Sequence, residues 1–213
     1  MTTQNEIKAL ALILMLVDHA GLLLEVEWLQ IIGRLSFPLF CWVLARNWER
    51  KTEESTNRLV IKLGIFGIIS QIPYMAFTGR SELNILMSFL ITILTFSEVH
   101  RTKHKIVMII IGMIAAQCLN VSYGWFAVLC PLLMLNFKQG GSKGWWFVWS
   151  STNIAFTITV GNLIQIFTIF APLILMQYNS KDDMKPGRIE KYFFYSFYPL
   201  HLIGLVWIKS NLM

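Results

Sequence analysis

Charge is what this sequence has least of. Of 213 residues, 14 % are charged and 55 % are hydrophobic, whereas a soluble domain carries roughly a quarter charged residues. A soluble protein of this length could not hide so much apolar surface in one core without a large exposed patch. Acidic residues are the scarcer sign, 12 against 18 Lys and Arg, for a net charge of +6. Cysteine is nearly absent: Cys41, Cys118 and Cys130 each sit inside an apolar run. An odd count without ligand spacing excludes a disulfide framework and a zinc site. Buried, unreactive thiols are the expectation. GxxxxGK[ST] and G-x-S-x-G do not occur, which removes the nucleotide-triphosphatase and nucleophile-elbow signatures. No polar stretch is long enough to make a second domain, so residues 1–213 read as a single transmembrane domain.

What is present is a series of apolar runs. They cover 7–24, 28–45, 59–77, 83–99, 106–120, 121–137, 145–160, 163–178 and 192–208. A membrane helix needs about 20 mostly apolar residues, with a range of about 17 to 25, and tilt or snorkelling ends accommodate the shorter runs. The stretch from Trp145 to Tyr178 is too long for one crossing, and Thr159-Val160-Gly161-Asn162 offers the turn that divides it. The fold class predicted is an all-α integral membrane protein, a polytopic bundle of about nine transmembrane helices. The first run contains Asp18 and His19 and ends without a small-x-small pattern, so it reads as a retained helix rather than a cleaved signal.

The basic residues test that topology. Nine crossings place Lys8, Arg46, Arg50, Lys51, Arg58, Lys62, Arg101, Lys103, Lys105, Lys138, Lys143, Lys181, Lys185, Arg188 and Lys191 on one side, and only Arg80 and Lys209 on the other. Positive residues mark the cytoplasmic side, so the amino terminus is predicted to be cytoplasmic in a multi-pass protein of the inner membrane. Lipid is then the first partner. The same clustering between apolar runs argues against nucleic acid despite the net charge.

Ionisable groups at depth are the informative residues in such a chain, because an unpaired charge near the bilayer centre costs at least about 2.5–3.5 kcal/mol. Asp18, His19, Arg34 and His201 stand out. At 1.5 Å per residue His19 lies roughly 16 Å beyond Lys8, His201 roughly 15 Å beyond Lys191, and Arg34 roughly 9 Å past Trp28. The four could share one layer if their helices meet. Arg34 is the natural partner of Asp18; an internal ion pair that only holds two helices in register is the competing explanation. Pro38 and Pro199 leave the carbonyls of Arg34 and Tyr195 without helical partners, which is tolerated beside protein or a water-filled cavity. Gln71, Asn84 and Asn120 could line the same cavity or act as interhelical glue. His100 and His104 lie four apart but in a basic loop with no accompanying glutamate, and no metal is expected.

These residues also carry a resemblance. The segment Met15-Leu16-Val17-Asp18-His19, the segment Gly33-Arg34-Leu35-Ser36-Phe37-Pro38, Ser70-Gln71-Ile72-Pro73-Tyr74, Asn84-Ile85, Ser122-Tyr123-Gly124 and the tail Tyr195-Ser196-Phe197-Tyr198-Pro199-Leu200-His201 resemble, in order, the TraX family of conjugal-transfer membrane proteins. The likeness spans nearly the whole chain, and it is similar in character to larger multi-span acyltransferases. It implies a membrane-bound acetyltransferase with acetyl-CoA as donor, and a pilin or peptide amine or a cell-surface hydroxyl as acceptor. His19 would be the base, Asp18 would support it, Arg34 would stabilise developing negative charge, and His201 would serve as a second proton-transfer or acceptor-binding group. Gln71, Asn84, Tyr123 and Tyr198 would contact substrate, and Arg58, Arg188 and Lys191 would hold the coenzyme A phosphates. A proton-coupled or small-solute transporter built on the same intramembrane charges is the alternative.

Overall fold

A computed structural model describes residues 3–50, 52–138, 140–178 and 188–212. The described residues are mostly helical, and Leu83 and Val121 form an isolated parallel bridge. The helices are α1 (Gln4–Leu23), α2 (Glu27–Gly33), α3 (Ser36–Glu49), α4 (Glu53–Thr78), α5 (Ile85–Arg101), α6 (Lys105–Cys118), α7 (Phe126–Leu135), α8 (Lys143–Val160), a 3-10 helix (Leu163–Phe170), α9 (Ala171–Leu175) and α10 (Arg188–Leu212). Each apolar run of the sequence thus has a helix within it. The chain divides into two compact units, Met1–Asn47 with Cys130–Lys185, and Trp48–Leu129 with Pro186–Met213.

In the first unit α1 opens with a capping box: Thr3 Oγ1 accepts the Glu6 N–H and the Glu6 carboxylate accepts the Thr3 N–H. The chain reverses at Glu25, whose φ is 56°, and α2 packs back on α1. The second apolar run is broken. Pro38 has no N–H to give the Arg34 carbonyl, so α2 ends at Gly33 and a new helix starts at Ser36 with the proline in its first turn, where the missing donor costs nothing. Ser36 Oγ donates to the Ala11 carbonyl at 2.8 Å and Gln4 Nε2 to Asn47 Oδ1 at 3.1 Å, so α3 runs antiparallel to α1. Further along, Gly161 (φ 68°) closes α8 at the expected turn and Asn162 caps the 3-10 helix. Trp149 is fully buried and its Nε1 donates to the Ile169 carbonyl at 3.0 Å. Cys41 and Cys130 are buried, as expected; Cys118, in the other unit, is exposed, because α6 buries little besides Gly112 and Ala116.

In the second unit α4 packs against α5 and α10, and α5 against α6. Thr52 caps the start of α4 and left-handed Gly79 its end. Lys209 Nζ donates to the Phe77 carbonyl at 2.9 Å, satisfying one of the orphan carbonyls at the α4 terminus and setting the register of α10 on α4. Close approach of α6 to α5 depends on Gly112, where a Cβ would meet Thr95 Oγ1 at 2.3 Å. The run 121–137 does not become one long helix. Its first residues pair instead with Leu83: Leu83 N–H donates to the Asn120 carbonyl at 2.9 Å and Ser122 N–H to the Leu83 carbonyl at 2.7 Å.

Two described segments are helical, long and apolar enough to cross a membrane, Glu27–Glu49 and Glu53–Thr78. Shorter apolar helices cover Lys105–Cys118, Phe126–Leu135 and Leu163–Leu175.

Candidate functional site

In the first unit, Asp18 and Arg34 meet as the sequence led one to expect. Arg34 Nε lies 3.2 Å from Asp18 Oδ1, with the side chains 13 % and 16 % exposed. The reason they can meet is Gly33. A Cβ there would lie 2.4 Å from both Cα and Cβ of Asp18, so only glycine lets the end of α2 press on α1 at this level. Gly21 plays the same part nearer the turn, where a Cβ would come within 2.8 Å of the Gln30 nitrogen. His19 follows Asp18 in α1 and is half-buried. Successive helical residues point about 100° apart, so the carboxylate and the imidazole face different directions from one backbone.

In the second unit a polar cluster gathers around the Leu83–Val121 bridge. Asn84 is fully buried and its hydrogen-bonding groups are occupied: Nδ2 donates to the Gly67 carbonyl at 2.7 Å and to Gln71 Oε1 at 2.8 Å, while Oδ1 accepts the Leu86 N–H at 3.0 Å. Gln71 Nε2 in turn donates to the Glu82 carbonyl at 2.9 Å. The two amides therefore tie α4 to the start of α5. Replacing Asn84 with leucine strips partners from buried groups, at about 1–3 kcal/mol each; a Tm fall of several degrees in detergent is expected, and an unchanged Tm would show that the amide is not structural.

Beside these amides, Tyr74 Oη donates to Glu82 Oε1 at 2.5 Å and lies 2.9 Å from Ser122 Oγ, and Ser122 Oγ lies 3.2 Å from the same carboxylate oxygen. Glu82 had drawn no attention in the sequence. It sits in a short polar connection, where a carboxylate is ordinary, and nothing local announces that Tyr74 and Ser122 close over it. Tyr198 is buried on α10. Tyr123 has φ 65°, a left-handed conformation uncommon for a bulky residue. His201 is half-buried on α10, its ring stacked on Phe197 with centroids 5.3 Å apart. Its Nδ1 lies 2.9 Å from the Phe197 carbonyl; a carbonyl only accepts, so Nδ1 carries the proton and Nε2 is the basic nitrogen of the neutral ring.

Of the expected phosphate grips, Arg58 is exposed on α4 and paired with Glu54 one turn away. Arg188 opens α10, but its side chain and that of Lys191 lie outside the described residues. The expected residues thus fall into the two units separately: Asp18, His19 and Arg34 in the first, Arg58, Gln71, Asn84, Tyr123, Tyr198 and His201 in the second.

A family model described as TraX protein matches residues 3–209. The chain belongs to the TraX family. It is 32 % identical to protein TraX of Escherichia coli over 134 residues, 61 % of this chain and 52 % of that protein. An uncharacterized protein of Rickettsia prowazekii is 38 % identical over 71 residues, 32 % of this chain and 26 % of the relative. A probable fimbrial assembly protein, FimC of Dichelobacter nodosus, is 22 % identical across 97 % of this chain and 96 % of its own length. This TraX-family chain spans about half the length of the Escherichia coli protein that it matches. No solved structure matches it.

Proposed function

We propose that this chain is a multi-pass protein of the inner membrane, crossing it about nine times from a cytoplasmic amino terminus, and that it transfers an acetyl group from acetyl-CoA to an acceptor amine or hydroxyl. The membrane half of the reading is supported by surfaces that water would not tolerate. On α6, Ile106, Val107, Ile110, Ile111 and Ile114 are all exposed, and on α4 so are Ile61, Ile65, Ile68, Ile69 and Ile72. Only 28 % of the apolar window of α4 is buried. Such stripes mark contact with lipid or another protein, and with a basic side of fifteen residues facing a side with two, lipid accounts for both.

The observation that carries the chemical half is the Asp18–Arg34 contact at 3.2 Å beside His19, three ionisable groups in otherwise apolar helices of a TraX-family chain. Acyl transfer needs a base for the incoming nucleophile and a positive group for the oxyanion. His19 takes the proton from the acceptor nitrogen or oxygen as it attacks the thioester carbonyl. Arg34 stabilises the negative charge that develops on the carbonyl oxygen. Asp18 works through Arg34, holding the guanidinium in place and making its burial affordable. Collapse of the tetrahedral intermediate expels the thiolate of coenzyme A, which takes up a proton. Within the second unit, His201, through Nε2, is assigned as a second proton-transfer or acceptor-binding group, Gln71, Tyr123 and Tyr198 as acceptor contacts, and Arg58, Arg188 and Lys191 as grips for the donor's phosphates, while Asn84, buried with its groups occupied, serves the fold. A relative named as a probable fimbrial assembly protein favours a pilin-like peptide over a surface polymer as acceptor.

The test is purified protein in lipid with acetyl-labelled coenzyme A and membranes from cells that lack it. Label is expected in a peptide or surface polymer, with a mass increase of one acetyl group. Solute uptake into proteoliposomes with no consumption of the thioester would instead establish a transporter.

A further inference from the structure

The cluster around Glu82 has more order than the fold requires. Backbone hydrogen bonds on either side of Leu83 already join residues 82–84 to 120–122, and the Ser88 hydroxyl donates to the Ser122 carbonyl at 2.7 Å. The side chains of Ser122, Glu82 and Tyr74 are not needed to close that junction. Yet they come together from three separate parts of the chain. Ser122 also stands in a conformationally unusual turn, since Asn120 has φ 48° and Tyr123 φ 65°. Left-handed non-glycine residues persist where surrounding structure holds them, and they gather at functional sites.

The protons can be assigned. A carboxylate only accepts, so Tyr74 gives its one proton to Glu82 across 2.5 Å. The 2.9 Å contact between Tyr74 and Ser122 then runs from the serine, whose single proton points into the Glu82–Tyr74 pair. No described residue donates to Ser122 Oγ, so its lone pairs are unspent. Glu82 Oε1 receives the Tyr74 and Ser122 contacts and exposed Arg80 Nη1 at 3.6 Å, while no described residue hydrogen-bonds Oε2. Glu82 is 24 % exposed, so the cluster is not sealed.

We propose that Ser122 is a nucleophile, with Glu82 as its base and Tyr74 orienting that base, and that the site takes the acyl group of an ester or thioester. A hydroxyl within reach of a base that a third group orients is the arrangement of covalent catalysis. Ser122 Oγ forms a bond to the acyl carbon as its proton passes to Glu82. The bond from that carbon to the leaving oxygen or sulfur breaks, and the leaving group takes the proton back. The acyl group remains as a serine ester; a hydroxyl, amine or water then attacks it and gives its proton to Glu82, the bond from the acyl carbon to Ser122 Oγ breaks, and Glu82 returns the proton to Oγ. Arg80 supplies the positive charge nearest to the developing oxyanion. The site belongs to the second unit and does not depend on the acetyltransferase reading of Asp18, His19 and Arg34.

The experiment uses the full chain in detergent micelles with two probes, an alkyl fluorophosphonate and p-nitrophenyl acetate, followed by intact mass and peptide mapping. One adduct per chain on Ser122 is expected, absent in Ser122→Ala and formed about a hundredfold more slowly in Glu82→Gln. Ser97→Ala, whose hydroxyl is spent on the Ile93 carbonyl, should label as the wild type does. A folded wild-type protein with no adduct on Ser122, or an adduct whose rate ignores Glu82→Gln, overturns the proposal. Mapping on the wild type keeps the test decisive even where a variant folds poorly.

Discussion

Asp18→Ala is expected to destabilise the first unit by about 3–5 kcal/mol, because it leaves the Arg34 guanidinium without its charge partner in a largely desolvated site. The contact is 3.2 Å and neither side chain is more than 16 % exposed, which separates it from surface pairs worth roughly 0–1 kcal/mol. Gly33 adds to the cost. With its α-carbon pressed against Asp18, α2 has no room to swing away and let Arg34 reach water. Removing both charges should behave differently. Asp18→Leu combined with Arg34→Met is expected to recover most of the lost stability, since apolar replacement of a buried pair is often neutral or stabilising. Denaturant or thermal unfolding in lipid nanodiscs measures both. A loss below about 1 kcal/mol for the single variant would show a solvated contact. If the double variant folds but transfers no acetyl group, the pair serves the chemistry; if it folds and remains active, the pair serves only the packing of α1 on α2.

Acetyl transfer by His19→Ala is expected to fall about a hundredfold to ten-thousandfold, the usual contribution of a positioned general base. His19 is half-buried near the C-terminal end of α1, and alanine is the best helix former, so the helix itself should survive and the Tm should change little. Wild-type activity in a folded His19→Ala protein would remove this histidine from the mechanism. A loss of activity that tracks a loss of Tm would mean only that the fold had failed. His201→Ala separates the two histidines. That residue's ring packs on Phe197 and Tyr198, so the variant should alter stability as well as rate.

Much of the architecture was legible because long apolar runs broken by charge are a coarse code for helices. Apolar runs of membrane-spanning length, interrupted by basic clusters, outlined the helices, and each observed helix falls on or overlaps one of those runs. The turn at Gly161 and the break ahead of Pro38 were legible for a local reason, since glycine and proline change what the backbone at their own positions can do. The pairing of Asp18 with Arg34 followed from the cost of burying either charge alone. The helix of the run 121–137 was overestimated because hydropathy does not reveal that Leu83 pairs with the first residues of that run. Gln71 and Asn84 were recognised as polar residues of interest, but their mutual bonds could not be derived, as amides at depth bond to whatever the fold brings near.

The chain's composition and charge order, then, determined by themselves that it is helical and which stretches carry helices, because each such feature is a property of neighbouring residues. Tertiary structure alone decided which polar groups meet. Gly33 reads as one more small residue until α2 is laid against Asp18, and Glu82 as a loop carboxylate until Tyr74 and Ser122 are folded over it. Hydrogen bonds and ion pairs act over about 3 Å, and residues 48 apart in sequence, such as Tyr74 and Ser122, come within that range only through the packing of whole helices.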